Sequence, residues 1–217
     1  MSADLRGPRG RGTRRGIMLI LSSPSGTGKT TLAHRLIDQN PDLVWSVSAT
    51  TRPARPGERD GEDYYFLSEA DFQAKAERGE FFEHAEVFGR RYGTLKAPVE
   101  DALSMGRDVI FDIDWQGAKR LSEQAPRDVV RVFLLPPSLK LLKDRLMRRG
   151  QDSEAVVGSR MAQAKAEIAH WGEYDYVVIN DEFARALEEL TAILRAERLK
   201  RLRHPWLSDF VEALLEE

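Results

Sequence analysis

A chain of 217 residues, 41% hydrophobic and 31% charged, has the material for one buried core, or one core with a small insertion. Its net charge of −2 supplies no global field for nucleic acid or for a membrane surface, and no apolar run approaches the roughly 20 residues of a membrane helix. The absence of cysteine excludes disulfides and thiolate metal sites, and a reducing, cytoplasmic setting is expected.

Residues 1–16 carry Arg6, Arg9, Arg11, Arg14 and Arg15 against Asp4, interleaved with glycines and Pro8. They lack the apolar run of a secretory signal. The composition predicts a solvated, disordered basic leader, with a polyanion-binding arm as the sharper alternative. Ile17–Leu21 then forms an apolar run of the buried-strand kind, followed by a Gly/Ser/Thr loop. Thr30–Asp38 reads as a helix with Leu32, Leu36 and Ile37 on one side, stopped before Asn40-Pro41. Further strands are expected at Leu43–Val47, Asp108–Ile113, Val129–Leu135 and Tyr176–Ile179. Helices are expected at Lys96–Met105, Trp115–Glu123, Leu139–Arg148, Glu154–Trp171 and Phe183–Leu199. This alternation predicts an α/β fold, a five-stranded parallel sheet flanked by helices.

Two stretches break the alternation. Thr50–Gly61 is rich in Arg, Pro and Gly; strand-like runs at Tyr64–Leu67 and Phe81–Phe88 follow, around a short helix at Ser68–Arg78. Together they suggest an inserted small lobe. The basic, glycine-interrupted segment Arg145–Arg160 has the composition of a mobile flap. The expected organisation is a leader at 1–16, core at 17–47, lobe at 48–98, core again at 99–143, lid at 144–165, and core with C-terminal helices at 166–217. The run Arg198–Arg203 and the segment Trp206–Leu215 suit packing on the core or on a second subunit equally, so the oligomeric state is left open.

The loop Ser23-Pro24-Ser25-Gly26-Thr27-Gly28-Lys29-Thr30, followed by Thr31, lies between a buried strand and a helix. Gly26 and Gly28 allow backbone N–H groups to curl around phosphate oxygens, and the helix start adds unpaired N–H groups and a positive dipole end. Lys29 suits β- and γ-phosphates, and the Thr30 hydroxyl suits a magnesium ion. The phosphate-loop pattern G-x-x-x-x-G-K-[ST] has glycine where this chain has Ser23. Val109-Ile110-Phe111-Asp112 is the companion, an apolar strand ending in a carboxylate for the magnesium shell. A P-loop nucleotide-binding core is the reading. Four histidines (His34, His84, His170 and His204) have neither metal-ligand nor triad spacing and read as packing or surface residues.

Ser48-Ala49-Thr50-Thr51-Arg52-Pro53-Ala54-Arg55-Pro56-Gly57-Glu58, Gly61, Tyr64-Tyr65-Phe66, Phe82-Glu83, Tyr92-Gly93-Thr94, Asp112-Ile113-Asp114-Trp115-Gln116-Gly117 and the stretch Arg145 to Arg160 resemble, in order, the motifs of guanylate kinases. The resemblance spans roughly 17–200. It implies MgATP and GMP as substrates, with dGMP as a further acceptor to consider, and neither a membrane nor a specific nucleic acid as partner. It also implies residue roles: Arg52, Arg55, Tyr64 and Tyr92 on the GMP phosphate, and Ser48, Glu83, Thr94 and Asp114 in guanine binding. Lys29, Arg145 and Arg160 would act on the transferring phosphates, with Arg149 as a further catalytic arginine directed towards the adenine or the phosphates. The residue chemistry agrees, because arginines three apart on a proline-restrained segment can fork onto a phosphate and a carboxylate can accept from guanine's adjacent donors. Strand alternation would put Phe81, Glu83, Ala85 and Val87 on one side. Two other functions share parts of this pattern: a kinase for another small phosphate ester, and a non-catalytic module of guanylate-kinase-like fold that binds phosphopeptides. Neither accounts for guanine-reading residues alongside Gly28-Lys29-Thr30.

Overall fold

The computed structural model describes residues 12–87, 89–148 and 154–217. Strands β1 (Met18–Ser22), β2 (Leu43–Trp45), β7 (Asp108–Asp112), β8 (Val129–Leu135) and β9 (Tyr176–Ile179) form a parallel sheet in the order β2-β7-β1-β8-β9. β1 lies at its centre, with Met18 opposite both Val109 and Val129.

Covering both faces of β1 explains its unbroken apolar run. Leu19 and Leu21 turn toward α1 (Lys29–Asp38) and α7 (Phe183–Arg198), where they pack with Leu32, Leu36, Leu190 and Leu194. Met18 and Ile20 turn the other way, toward α3 (Lys96–Ser104) and α4 (Trp115–Gln124), against Val99, Leu103 and Leu121. Because the strands are parallel, the loops leaving Ser22, Asp112, Leu135 and Ile179 gather at one end of the sheet, the usual place for ligands in such folds.

The inserted lobe is a four-stranded sheet in the order β4-β3-β6-β5: β3 (Ala49–Thr50), β4 (Tyr65–Phe66), β5 (Phe81–Val87) and β6 (Arg90–Leu95). β3 and β6 are strands that the apolar pattern did not reveal. Helix α2 (Glu69–Glu77) is capped by Ser68, whose hydroxyl accepts from the Asp71 N–H at 3.0 Å. Its Phe72 stacks on Phe81 at 4.5 Å. At Gly93 a Cβ would come within 2.9 Å of the Glu83 carbonyl oxygen, so β6 needs glycine to lie this close to β5.

A β-bulge corrects the expected alternation of β5. Phe81 pairs with Leu95 and Glu83 with Thr94, so Phe82 is an extra residue in the ladder. Phe81 joins Phe72 in the lobe core, with His84 edge-on to both, while Phe82 enters the main core beside Leu103 and Leu121. Glu83 is thereby turned away from Phe81. The bulge lets two consecutive phenylalanines bury in two different cores.

The expected solvated leader also needs correction at its end; residues 1–11 lie outside the described residues. Arg14 forks onto the fully buried Asp108 at 2.7 and 2.9 Å, and Arg15 reaches Asp128 and Glu100. Arg198 and Arg203 meet the same two aspartates from the C-terminal side. Arg198 and Arg203 therefore anchor the two ends of this run on the core, with residues 199–202 exposed between them, and Arg203 is itself buried. Such buried charges persist only when paired. The last helix, α8 (Leu207–Leu215), contains no buried residue.

Candidate active site

The phosphate loop is shaped by backbone conformations available to glycine. Gly26 and Gly28 have φ of 90° and 98°, in the left-handed region. A Cβ on Gly28 would meet the Asn180 amide at 2.9 Å. That amide donates to the Thr27 carbonyl at 2.6 Å, which fastens the loop to the end of β9. Ser23 donates to the Pro24 carbonyl at 3.1 Å, and the Thr27 N–H closes a turn back onto the same carbonyl at 3.2 Å. Ser25 and Thr31 are exposed.

Lys29 forms an ion pair with Asp112 Oδ1, and the Thr30 hydroxyl donates to Asp112 Oδ2 at 3.0 Å. One strand-terminal carboxylate thus holds both the loop's cation and its hydroxyl. A cavity of about 330 Å³ opens here, lined by Ser23 to Thr31, Asp112, Ile113, Asp114 and Glu167. Asp114 caps α4 by accepting from the Gly117 N–H at 2.8 Å.

Two segments stand beside the loop: α5 (Leu139–Arg148) and α6 (Glu154–Ile168). Leu142, Leu146, Met161 and Ala164 join them. A Cβ on Gly26 would be 3.2 Å from Leu142 and from Leu146, so α5 rests on the loop. Arg145 reaches the Thr27 carbonyl at 3.4 Å. Together with Asn180, Asp181 and Phe183 it lines a second cavity of about 360 Å³ on the other side of the loop. Arg160 is half-buried on α6, and Arg149 lies outside the described residues.

In the lobe, Arg52 is held end-on by Glu58, with hydrogen bonds of 2.8 and 3.0 Å. Glu58 also accepts from the Arg55 N–H at 2.7 Å. The Arg52 guanidinium, then the Arg55 N–H, holds the Glu58 carboxyl below its ordinary range. Arg52 lies over the Tyr64 ring at 5.2 Å, and Tyr64 meets Tyr92 edge-on at 6.2 Å. The Arg55 side chain is exposed. Glu83 accepts from the buried Thr94 hydroxyl at 3.0 Å, and Arg120 of α4 stands 3.7 Å from its other oxygen. Ser48 is half-buried, with its carbonyl accepting from the Tyr65 N–H at 2.9 Å.

The structure therefore gathers the expected residues into two groups, Lys29, Thr30 and Asp112 in the core and Arg52, Tyr64 and Tyr92 in the lobe, with Glu83 and Thr94 paired on its sheet. Sequence reasoning passed over Glu58, Asn180, Glu167 and Arg120. Glu58 lies inside the Ser48–Glu58 motif, and Asn180 directly follows an apolar strand, where parallel sheets place ligand-facing residues. Glu167 and Arg120 carry no local signal. Glu167 shares one oxygen with Gln163 at 3.1 Å, while its Oε2 is buried without a partner among the described residues. Burial pushes its pKa up.

Set against known proteins, residues 15–197 match the family model described as Guanylate kinase. A guanylate kinase of Maricaulis maris is 64% identical over 218 residues, covering 100% of both chains. One of Cereibacter sphaeroides is 56% identical, covering 93% of this chain and 96% of its own length. The crystal structure of guanylate kinase from Anaplasma phagocytophilum matches with a TM-score of 0.71 at 36% identity, covering 94% of this chain and 98% of that one.

Proposed function

The chain belongs to the guanylate kinase family, and from that premise we infer that it is an ATP-dependent kinase that phosphorylates GMP, giving ADP and GDP. The observation carrying the residue-level reading is the pairing of two anion sites in one chain. One is a phosphate loop with Lys29 and Thr30 on Asp112; the other is the Arg52–Tyr64–Tyr92 group on the lobe that also carries Glu83.

An acceptor phosphate is already an anionic nucleophile, so the transfer needs no general base. It needs cations that hold two polyanions together in a site shielded from water. Arg52, Arg55 and the Tyr64 and Tyr92 hydroxyls bind the GMP phosphate. Glu83 accepts from the guanine N1–H and N2–H₂, aided by Ser48, Thr94 and Asp114. The loop from Ser23 to Thr31 wraps the ATP phosphates. Lys29, Arg145, Arg149 and Arg160 neutralise charge on the group in transfer. Arg145, Asn180, Asp181 and Phe183 bound the side of the loop where we assign the rest of the donor nucleotide.

Magnesium fits this donor set. Asp112 and the Thr30 hydroxyl offer adjacent hard oxygens, and no group of three or more Asp, Glu or His among the described residues could hold a metal alone. That suits an ion that completes its shell with substrate phosphates and water. When bound, Mg²⁺ draws charge from the β- and γ-phosphates of ATP.

Among the described residues no helix is long and apolar enough to cross a membrane, and we propose a cytoplasmic enzyme. The test is coupled ADP release with GMP, dGMP, AMP, CMP, UMP and ribose phosphates as acceptors, with and without Mg²⁺. GMP is expected to lead the panel by orders of magnitude. Equal rates with AMP would overturn the guanine reading, and preference for a ribose phosphate would move the chain to another acceptor.

A further inference from the structure

Helix α4 belongs to the core. Its Gly117, Ala118 and Leu121 are buried, and Ala118 and Leu121 pack with Phe82, Leu103 and Phe111. Arg120 and Gln124 are four positions apart, which puts both on one face of the helix. That face meets β5 of the lobe. Gln124 Nε2 donates to the Phe82 carbonyl at 2.5 Å, at the bulge itself, and Arg120 Nη2 stands 3.7 Å from Glu83 Oε2. One helix of the core thus meets two consecutive residues of an edge strand of the lobe, β5.

The Arg120–Glu83 pair differs from an ordinary surface ion pair in two respects. The Glu83 side chain is only 13% exposed, and the Arg120 Nε atom is buried, without a hydrogen-bond partner among the described residues. The Arg120 side chain is 42% exposed as a whole, but its Nε lies buried on the side where core and lobe meet. Glu83 has its two oxygens assigned separately: Oε1 accepts from Thr94 within the lobe, and Oε2 faces Arg120 from the core. At 3.7 Å the Arg120 contact is an ion pair and not a hydrogen bond, and it biases the carboxylate toward one orientation. Held by Thr94 alone, it could turn about its last bond.

We infer that Arg120 is a positioning residue for base recognition. It sets the orientation of the Glu83 carboxylate, so that two acceptors already point where guanine presents two neighbouring donors. This rests on the reading of Glu83 as the guanine acceptor. Because α4 also begins at Asp114, which lines the phosphate-loop cavity, the same helix spans from the donor phosphates to the acceptor base. A rigid bar of this kind makes base binding sensitive to the seating of the lobe on the core. The gain is in preorganisation, since ordering the acceptor before GMP arrives removes that cost from binding.

The test is steady-state kinetics with GMP as the varied substrate for Arg120→Ala, Arg120→Lys, Glu83→Gln and the double variant Arg120→Ala/Glu83→Gln, each checked by thermal melting. Arg120→Ala is expected to raise the KM for GMP about tenfold, the scale of coupling between residues in one network, with kcat and the KM for ATP within about twofold. Arg120→Lys, which keeps the charge, should recover most of the loss. In the Glu83→Gln background, Arg120→Ala should add little, because its effect runs through Glu83. An unchanged GMP KM in Arg120→Ala, or full additivity in the double variant, overturns the proposal while leaving Glu83 as the guanine reader. A Glu83→Gln enzyme with wild-type GMP kinetics overturns both readings together. A general loss from misfolding would lower the melting temperature and the ATP kinetics in step, and would count against the proposal.

Discussion

Glu58 meets Arg52 end-on, its two oxygens 2.8 and 3.0 Å from the two terminal nitrogens of the guanidinium. The Pro53 carbonyl takes a further hydrogen from Nη1 at 2.7 Å. Of the five N–H donors an arginine carries, these bonds leave the Nε hydrogen and one on Nη2, both on the same side edge, and the Tyr92 phenol also hydrogen-bonds the guanidinium. That edge is a ready fork for a phosphate, and Glu58 determines where it points. Glu58 is therefore a positioning partner for Arg52.

The first prediction follows from this donor count. Arg52→Lys keeps the charge and loses the fork, and should raise the KM for GMP by about 10–100-fold, the scale of a charge-assisted hydrogen bond. Glu58→Gln should raise it less, in the same direction, with the KM for ATP unchanged. Initial rates at varied GMP measure both. A lower GMP KM in Glu58→Gln would instead make Glu58 a competitor for the phosphate site.

Lys29 is expected to matter to turnover far more than to folding. Its partner Asp112 keeps the Thr30 hydroxyl when the ammonium is removed, so Lys29→Met should retain a near-wild-type melt. Its kcat should fall about 10²–10³-fold, as for other charge-stabilising groups. Wild-type turnover in a folded variant would remove Lys29 from the machinery.

The arm before β1 should stabilise the fold. Deleting residues 1–16 removes Arg14 from the buried Asp108 and Arg15 from Asp128, though Arg198 and Arg203 remain. Stripping one partner from a buried charge group costs about 3 kcal/mol, which for a chain of this size is a melting-temperature drop of roughly 6–12 °C. The KM for GMP should hold, since Asp108 starts the strand whose far end carries Asp112. Differential scanning fluorimetry and GMP kinetics on the truncated protein decide it.

Two phenols should make the fold alkali-sensitive. Burial pushes Tyr174 up to about 12. The Glu197 carboxylate, accepting from Tyr176 at 2.6 Å, and then burial push Tyr176 up to about 12 as well. The folded state favours the neutral phenol, so this stabilisation is complete below the unfolded pKa near 10 and is lost as pH rises from about 10 to about 12. Phenolate absorbance and melting temperature, followed together from pH 9 to 12, should show late ionisation and falling stability over that window. Glu197→Gln should bring the Tyr176 ionisation back down.

What the sequence alone determined about this protein lies in contiguous stretches. The run through Leu21 is apolar because β1 is covered on both faces, and the glycines at 26 and 28 announce the loop because their conformation is a local property. β8 and β9 could be bounded from their residues for the same reason. The two motifs proposed to bind substrate were legible because each is a short segment whose chemistry is carried by its own side chains.

Other features are products of meeting surfaces. The face on which Glu83 lies depends on a bulge, and the bulge exists because Phe81 and Phe82 each have a different core to enter. β3 and β6 are too short or too polar to show an apolar pattern, and they are strands because they pair with each other and with their neighbours. Arg14 reads as a solvated charge until Asp108, 94 residues away, is buried beneath it. Asn180 reads as a strand end until its amide meets the Thr27 carbonyl across 153 residues. Burial charges such polar groups a desolvation cost that only pairing offsets, and strengthens the pair through the low dielectric around it; burial is a property of the packed chain.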